Sequence, residues 1–250
     1  MESIFLPSKM YFTPGEKPNE MLLTIEPLHH GYGTTIGNAL RRVLLSSLPG
    51  AAVTAMKVKG AQHEFSALNG VKEDVLDIML NLKKLRMKVH TEEPVVLKLS
   101  VKKEGEVTAA DIEANADVEI VNPELVIATV TDKSASFDME ITVSRGRGFL
   151  PTEEREEAPT EIGVIAIDAM FSPVRTVGLK VENTRVGEIT NYDKLLMTIV
   201  TDGSITPQEA VEQGTKILLN HFTWVQGQLQ HASLTEQIVR ASEEVKEEDK

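Results

Sequence analysis

The segment Gly31-Tyr32-Gly33-Thr34-Thr35-Ile36-Gly37 is the first place where residue type and spacing suggest chemistry. Glycines in a turn that follows a strand-like run and opens a helix suit a phosphate, because bare amides at a helix N-terminus attract anions. The spacing is G-x-G-x-x-x-G, the Lys-Ser/Thr pair of a Walker-type loop does not follow, and the third glycine falls inside the helix. A glycine loop shaped to pack against another element is the stronger reading. A nucleotide-binding enzyme using the loop from Gly31 to Gly37 is the competing one. Ser144-Arg145-Gly146-Arg147-Gly148-Phe149-Leu150-Pro151 could be read as an RGG-type nucleic-acid segment. As a single copy at the end of a strand in an acidic chain, it predicts a tight turn instead.

Other catalytic constellations are missing from the sequence. His29, His30, His63, His90, His221 and His231 show no metal-ligand spacing, and adjacent His29 and His30 would point to opposite faces of a strand. Cysteine is absent, which excludes a disulfide framework and thiolate chemistry. No G-x-S-x-G elbow occurs. No catalytic residue, metal or cofactor is therefore expected. The 250 residues carry 26 Lys+Arg against 38 Asp+Glu, a formal net charge of −12. That balance argues against sequence-independent nucleic-acid binding, which depends on cations meeting phosphates. Hydrophobic residues at 41% and charged residues at 26% are ordinary for a globular protein. Neither an apolar run of about 20 residues nor a secretory signal is present, so a cytoplasmic protein away from the membrane is expected.

The elements that must position any site follow from periodicity. Residues 4–12 and 20–28 read as a hairpin across a turn containing Pro14, Gly15, Pro18 and Asn19. Thr34 and Thr35 are candidate N-caps for a helix over 36–48, which Pro49-Gly50 stops. Val95, Leu97, Leu99 and Val101, and likewise Phe137, Met139, Ile141 and Val143, alternate with polar neighbours and predict half-buried strands. Between them Val71, Val75, Ile78, Met79 and Leu82 fall on one face of a helix over 71–83, after an Asn69-Gly70 turn. The run Glu153-Glu154-Arg155-Glu156-Glu157-Ala158-Pro159 reads as a solvated loop or lid. Further strands are expected at 162–167, 177–182 and 193–201.

Thr206-Pro207-Gln208-Glu209 then opens the strongest helix with a capping box. Its Val211, Thr215, Leu218, Phe222, Val225 and Leu229 make a coiled-coil-like stripe with no partner helix of the same chain in evident reach. Residues 230–250 turn polar and acidic, as in a frayed tail or linker. On the helix over 36–48, Ile36, Ala39, Leu40, Val43, Leu44 and Ser47 form the core stripe. Leu45 lies on the other side, between Arg41 and Arg42 and near Asn38. A leucine flanked by arginines fits an interface anchor; solvated arginines are the alternative.

Longer stretches carry a resemblance. Glu26-Pro27-Leu28, then Gly31-Tyr32-Gly33-Thr34-Thr35-Ile36-Gly37-Asn38-Ala39-Leu40-Arg41-Arg42-Val43-Leu44-Leu45-Ser46-Ser47-Leu48-Pro49-Gly50, closely resembles the signature of the bacterial RNA polymerase alpha subunit. The likeness continues through His63-Glu64-Phe65-Ser66, Gly70-Val71-Lys72-Glu73-Asp74-Val75, Arg145-Gly146-Arg147-Gly148-Phe149-Leu150-Pro151, Phe171-Ser172-Pro173-Val174, Tyr192-Asp193-Lys194-Leu195 and Thr201-Asp202-Gly203-Ser204-Ile205. Thr34 departs from the family, which often carries histidine there.

The resemblance implies a non-catalytic subunit of a nucleotidyltransferase: a homodimeric scaffold that recruits the beta and beta-prime subunits for transcription. It implies an α+β fold in two subdomains. One is a discontinuous dimerisation subdomain (1–49 and 174–229), an antiparallel sheet with two helices. The other is an inserted, mostly-β α+β subdomain (50–173), and 230–250 follow as acidic tail or linker. By position Arg42 and Leu45 match residues that engage the beta subunit, with Arg41 and Asn38 beside them, while Lys83, Ile167 and Val174 match the beta-prime-facing side. Ile36, Leu40, Val211, Leu218, His221, Phe222 and Val225 are the expected dimerisation residues. The family's C-terminal DNA-binding domain would follow Lys250, so it is expected to be absent and this chain to make no direct DNA contact. The expected localisation is cytoplasmic, nucleoid-associated through the polymerase. A stand-alone dimeric regulator that kept only the dimer surface is the further alternative.

Overall fold

The structure, a computed structural model, describes residues 4–132, 135–155 and 161–248, with side chains described as far as Leu229. Along the chain run β1 (Lys9–Pro14), β2 (Glu20–Leu28), α1 (Tyr32–Ser46), β3 (Pro49–Val58), α2 (Val75–Leu82), β4 (Met87–Val89), β5 (Val95–Val101), β6 (Gly105–Thr108), β7 (Val118–Ile120) and β8 (Val126–Val130). They are followed by β9 (Phe137–Arg147), β10 (Phe149–Leu150), β11 (Val164–Ala166), β12 (Ala169–Met170), β13 (Val174–Val186), β14 (Ile189–Thr201) and α3 (Pro207–Glu248). The class is α+β: three helices and several antiparallel sheets.

Two four-stranded sheets organise the chain. The first has order β1-β2-β14-β13 and the second β11-β3-β9-β5, every pairing antiparallel. Each has its own core. The first sheet contributes Leu23, Ile25, Val177, Leu195, Met197 and Ile199, packed with Leu40 and Leu44 of α1 and Val211 of α3. The second contributes Val53, Met56, Leu97, Leu99, Met139 and Ile141, packed with Val75, Ile78 and Leu82 of α2. The alternating side chains of β5 and β9 go inward as period-2 patterning requires: Leu97, Leu99, Val101, Phe137, Met139, Ile141 and Val143 are all buried.

Several elements depart from sequence expectation, each for a local reason. β1 begins at Lys9 rather than residue 4, because its register from Lys9↔Glu26 to Pro14↔Met21 is set by where β2 lies. α2 spans Val75–Leu82 only. Asp74 caps it by accepting from the Asp77 amide at 2.7 Å, while Val71 bridges to Val130 and the Glu73 carboxylate accepts from the Thr129 amide at 2.6 Å. Of the segment 144–151, where a turn is expected, only Gly148 turns: Arg147, Gly146 and Arg145 continue β9 and pair with Pro49, Gly50 and Ala51, and Phe149–Leu150 form β10. Glu153 and Glu154 are exposed, as expected of the 153–159 loop, but Arg155 is half-buried. Its guanidinium donates to the Thr54 carbonyl at 2.7 Å and to the Ile167 carbonyl. Glu156, Glu157, Ala158 and Pro159 of that expected loop lie outside the described residues. The backbone of α3 stays helical through Glu248 where a frayed tail is expected, since helix formers without glycine or proline fill the stretch after Gly227.

Candidate functional site

α1 starts at Tyr32, one turn earlier than its apolar pattern suggests, and neither Thr34 nor Thr35 caps it. The cap comes from another element. Asp193 of β14, only 4% exposed, accepts from the Gly31 amide at 2.9 Å and the Gly33 amide at 3.0 Å through Oδ2. Gly31 takes a left-handed φ of 86°, which turns its amide towards the carboxylate. The Tyr32 amide donates to the His29 carbonyl at 2.9 Å. A carboxylate of the chain itself thus occupies the position where a nucleotide phosphate would sit, and this geometry counts against the nucleotide-binding alternative. The glycines let α1 lie close to the sheet: a Cβ on Gly37 would come within 2.4 Å of Leu179 Cδ1 and 2.9 Å of Leu195 Cδ1. The buried stripe is accordingly Gly33, Gly37, Leu40 and Leu44, with Ile36, Ala39, Val43 and Ser47 on its half-buried flank.

On the outer side of α1, Asn38, Arg41 and Arg42 are exposed. Neither arginine makes an ion pair or side-chain hydrogen bond with any described residue. Leu45 differs from expectation: it is half-buried and packs against the first sheet's core, because a helix laid flat on a sheet covers side chains to either side of its central stripe. Leu45 therefore borders the exposed face rather than standing out from it.

α3 begins with the predicted capping box. The Glu209 amide donates to Thr206 Oγ1 at 3.2 Å and the Thr206 amide to Glu209 Oε2 at 2.8 Å. The Thr206 amide, and after it the Thr206 hydroxyl that donates to Glu209 Oε2 at 2.9 Å, hold the Glu209 carboxyl below its ordinary pKa. Contrary to expectation, α3 has a helix partner in its own chain. α1 crosses it at Gly214, where a Cβ would stand 3.2 Å from Leu44 Cδ2 and 3.6 Å from Val43 Cγ1. This corrects two expected dimerisation residues: Val211 (3% exposed) and Leu40 (5%) serve the chain's own core. Ile36 and Leu218 are half-buried against that core. Past Leu218 the helix leaves the core, and Phe222 (67% exposed), Val225 (48%) and Leu229 (67%) stand in solvent together with His221. Leu219 and Trp224, which the stripe omits, are exposed as well, widening the apolar face.

At the other core, Lys83 caps the C-terminus of α2 and donates from Nζ to Asp168 Oδ2 at 3.1 Å. Asp168 Oδ1 accepts from the Thr152 amide at 3.0 Å. The Thr152 bond, then Lys83, lowers the Asp168 pKa below the usual carboxylate range. Ile167 (1% exposed) and Val174 (3%) are turned inward, each into one of the two cores, which withdraws them as surface contacts. Strand alternation explains the miss, since a residue's face depends on register that a positional match does not carry. Sequence reasoning also passed over Asp193. Its signal was its phase: it falls in step with Leu195, Met197 and Ile199, a charge in an inward-facing series.

Among the described residues, no group of three or more His, Asp and Glu side chains is arranged to hold a metal ion, and no helix is long and apolar enough to cross a membrane. What the arrangement offers is surface: two exposed arginines on one helix, unpaired among the described residues, and an exposed apolar face on another.

Comparison with known proteins gives a consistent result. The family described as "RNA polymerase Rpb3/RpoA insert domain" matches residues 56–172. The "DNA-directed RNA polymerase subunit alpha" of Oceanobacillus iheyensis is 52% identical over 223 residues, 89% of this chain and 71% of that protein. The protein of the same name from Moorella thermoacetica is 50% identical over 223 residues, covering 89% and 71%. That of Symbiobacterium thermophilum is 55% identical over 198 residues, covering 79% and 62%.

Proposed function

The chain belongs to the alpha-subunit family of DNA-directed RNA polymerase, and on that premise we propose that it is the homodimeric scaffold on which the beta and beta-prime subunits assemble. Membership gives it a role in a nucleotidyltransferase complex; the proposal is that this role is structural, with no catalytic side chain supplied by this chain. The observation that carries the reading is the exposed apolar face of α3. Phe222, Val225 and Leu229 continue, beyond the chain's own core, the series that begins with the buried Val211. Fully burying a side chain of this size stabilises by about 1.5–3 kcal/mol, and a two-fold axis doubles every such contact. The occupant is a second copy of this chain.

In this reading residues 1–49 and 174–229 are the dimerisation subdomain and 50–173 the inserted one. The two separate cores support that division, as does a family match beginning at residue 56 and ending at 172. Asn38, Arg41 and Arg42, bordered by Leu45, form the beta-docking face of α1, and Lys83 lies on the beta-prime side. Guanidinium groups without partners among the described residues are suited to bidentate contacts across an interface. DNA contact by these residues is not part of the proposal. Co-expression of the tagged chain with beta and beta-prime chains tests it: both should co-purify. Recovery of the tagged dimer without beta would favour a stand-alone dimeric regulator.

A further inference from the structure

We propose that Asp193 is a positioning residue for α1: its carboxylate supplies, from within the chain, the anion that the glycine turn is shaped to hold, and so fixes where Asn38, Arg41 and Arg42 stand. This rests on the reading of the outer face of α1 as the beta-docking surface. Three observations lead to it.

Asp193 occupies an inward position of β14, in line with Leu195, Met197 and Ile199, and is 4% exposed. A carboxylate there is costly unless it is well bonded. Its Oδ2 takes the Gly31 and Gly33 amides at 2.9 and 3.0 Å, and its Oδ1 lies 3.7 Å from His30 Nδ1. These amides belong to the positive end of the helix dipole, where a carboxylate is favoured.

The turn is shaped to this side chain. A Cβ on Gly33 would stand 3.0 Å from Asp193 Cβ, from Asp193 Oδ2 and from Val181 Cγ1, so any larger residue there crowds the carboxylate and its neighbour. Gly33 and Gly37 are buried on the side of α1 that meets the sheet, and Leu179 and Leu195 fill the space beside Gly37. That packing sets how close the helix lies, and the two directional hydrogen bonds at its start fix its first turn against the sheet.

The helix carries that placement outward. Arg41 and Arg42 follow Gly33 by about 12–14 Å along the axis at 1.5 Å per residue. A displacement at the capped end is therefore a displacement of both guanidinium groups.

The test uses the intact dimer and three substitutions. Asp193→Gly opens the carboxylate's place; Asp193→Asn keeps an oxygen that can accept from both amides; Arg42→Ala probes the docking face alone. Beta capture is measured in sodium formate and in sodium chloride at equal ionic strength. Asp193→Gly should weaken capture about tenfold, the scale of one lost helix cap. Formate should restore most of that loss, and Asp193→Asn should stay within about threefold of the native chain. Full capture by Asp193→Gly, or a loss that formate leaves untouched, would overturn the proposal.

Two further readings do not involve beta. Formate should raise the melting temperature of Asp193→Gly and leave that of the native chain unchanged. Should Asp193→Gly fail to fold, hydrogen exchange on the native chain decides: the Gly31 and Gly33 amides should exchange as slowly as the middle of α1, and loop-like exchange would refute the bonds. Arg42→Ala with undiminished beta capture, alongside formate-dependent melting of Asp193→Gly, would remove the docking reading while leaving the anchoring role of Asp193 in place.

Discussion

At the scale of single residues, side chains of the same type do different work according to what faces them. Arg42 has no partner among the described residues, whereas Arg155 bonds two carbonyls. Burial lowers the pKa of Arg155, with Asp168 opposing the shift. Arg42→Ala should therefore weaken beta capture with an unchanged melting temperature. Leu45→Ala should lower both, because half of that side chain belongs to the core; a stability loss of about 1–2 kcal/mol is expected, below the full cost of a buried leucine. Asp168 allows a pH test. Its folded pKa is depressed, so its contribution to stability is present above the ordinary carboxylate range and is lost as pH falls through the depressed value. Asp168→Asn should flatten the acid limb of a stability-against-pH curve, and an unchanged limb would show that the Thr152 and Lys83 bonds carry no weight. At this scale the sequence was legible for type and poorly legible for direction. Ile167 and Val174 were the right kind of residue for a contact but face inward, and Asp193 became visible only once β14 gave it a phase.

At the scale of elements, local rules did well where the local chain decides. The capping box of α3 is present as read, and Thr206→Ala should cost about 1 kcal/mol of stability by chemical denaturation. The alternation in β5 and β9 fixed their inner faces. Where a distant segment decides, local rules failed. α1 is capped by β14 rather than by its own threonines, and the Arg145-Gly146-Arg147 stretch is strand because β3 pairs with it. Tertiary demand also governs Gly50, whose added Cβ would stand 1.8 Å from the Phe171 carbonyl oxygen, a backbone atom that cannot swing away. Gly50→Ala should destabilise by about 1–3 kcal/mol or more through overpacking. The apolar face of α3 sets the third expectation at this scale. Phe222→Asp should raise the dimer dissociation constant at least about a hundredfold, since an unpaired charge in an apolar contact costs several kcal/mol. Light scattering that still reports a dimer at low micromolar concentration would remove α3 from the interface.

At the scale of the whole molecule, one polar contact stands between the two cores. Arg86, after α2, lies 3.7 Å from Asp202, just past β14, with both side chains nearly buried. Burial is the leading cause that lowers the Arg86 pKa, Arg175 adds to it and Asp202 opposes it. Asp202 also accepts from the Ser204 amide at 2.9 Å, so its removal disturbs the junction from both sides. Asp202→Ala should destabilise by about 1–3 kcal/mol, because the Arg86 guanidinium keeps its bonds to the Lys83 and Leu85 carbonyls while losing its counter-charge. The division into two cores was not legible from composition or periodicity. It entered through a resemblance spread over most of the chain, and the identities of 52% and 50% with two alpha subunits place the chain in that family. The opening charge balance of −12 keeps its meaning for a chain proposed to work beside DNA without holding it. The scaffold account is tested most directly by native mass spectrometry of the purified chain mixed with its beta subunit. The account predicts a complex with two copies of this 27.5 kDa chain for each beta. A chain that stays free, or that joins beta as a single copy, would contradict it.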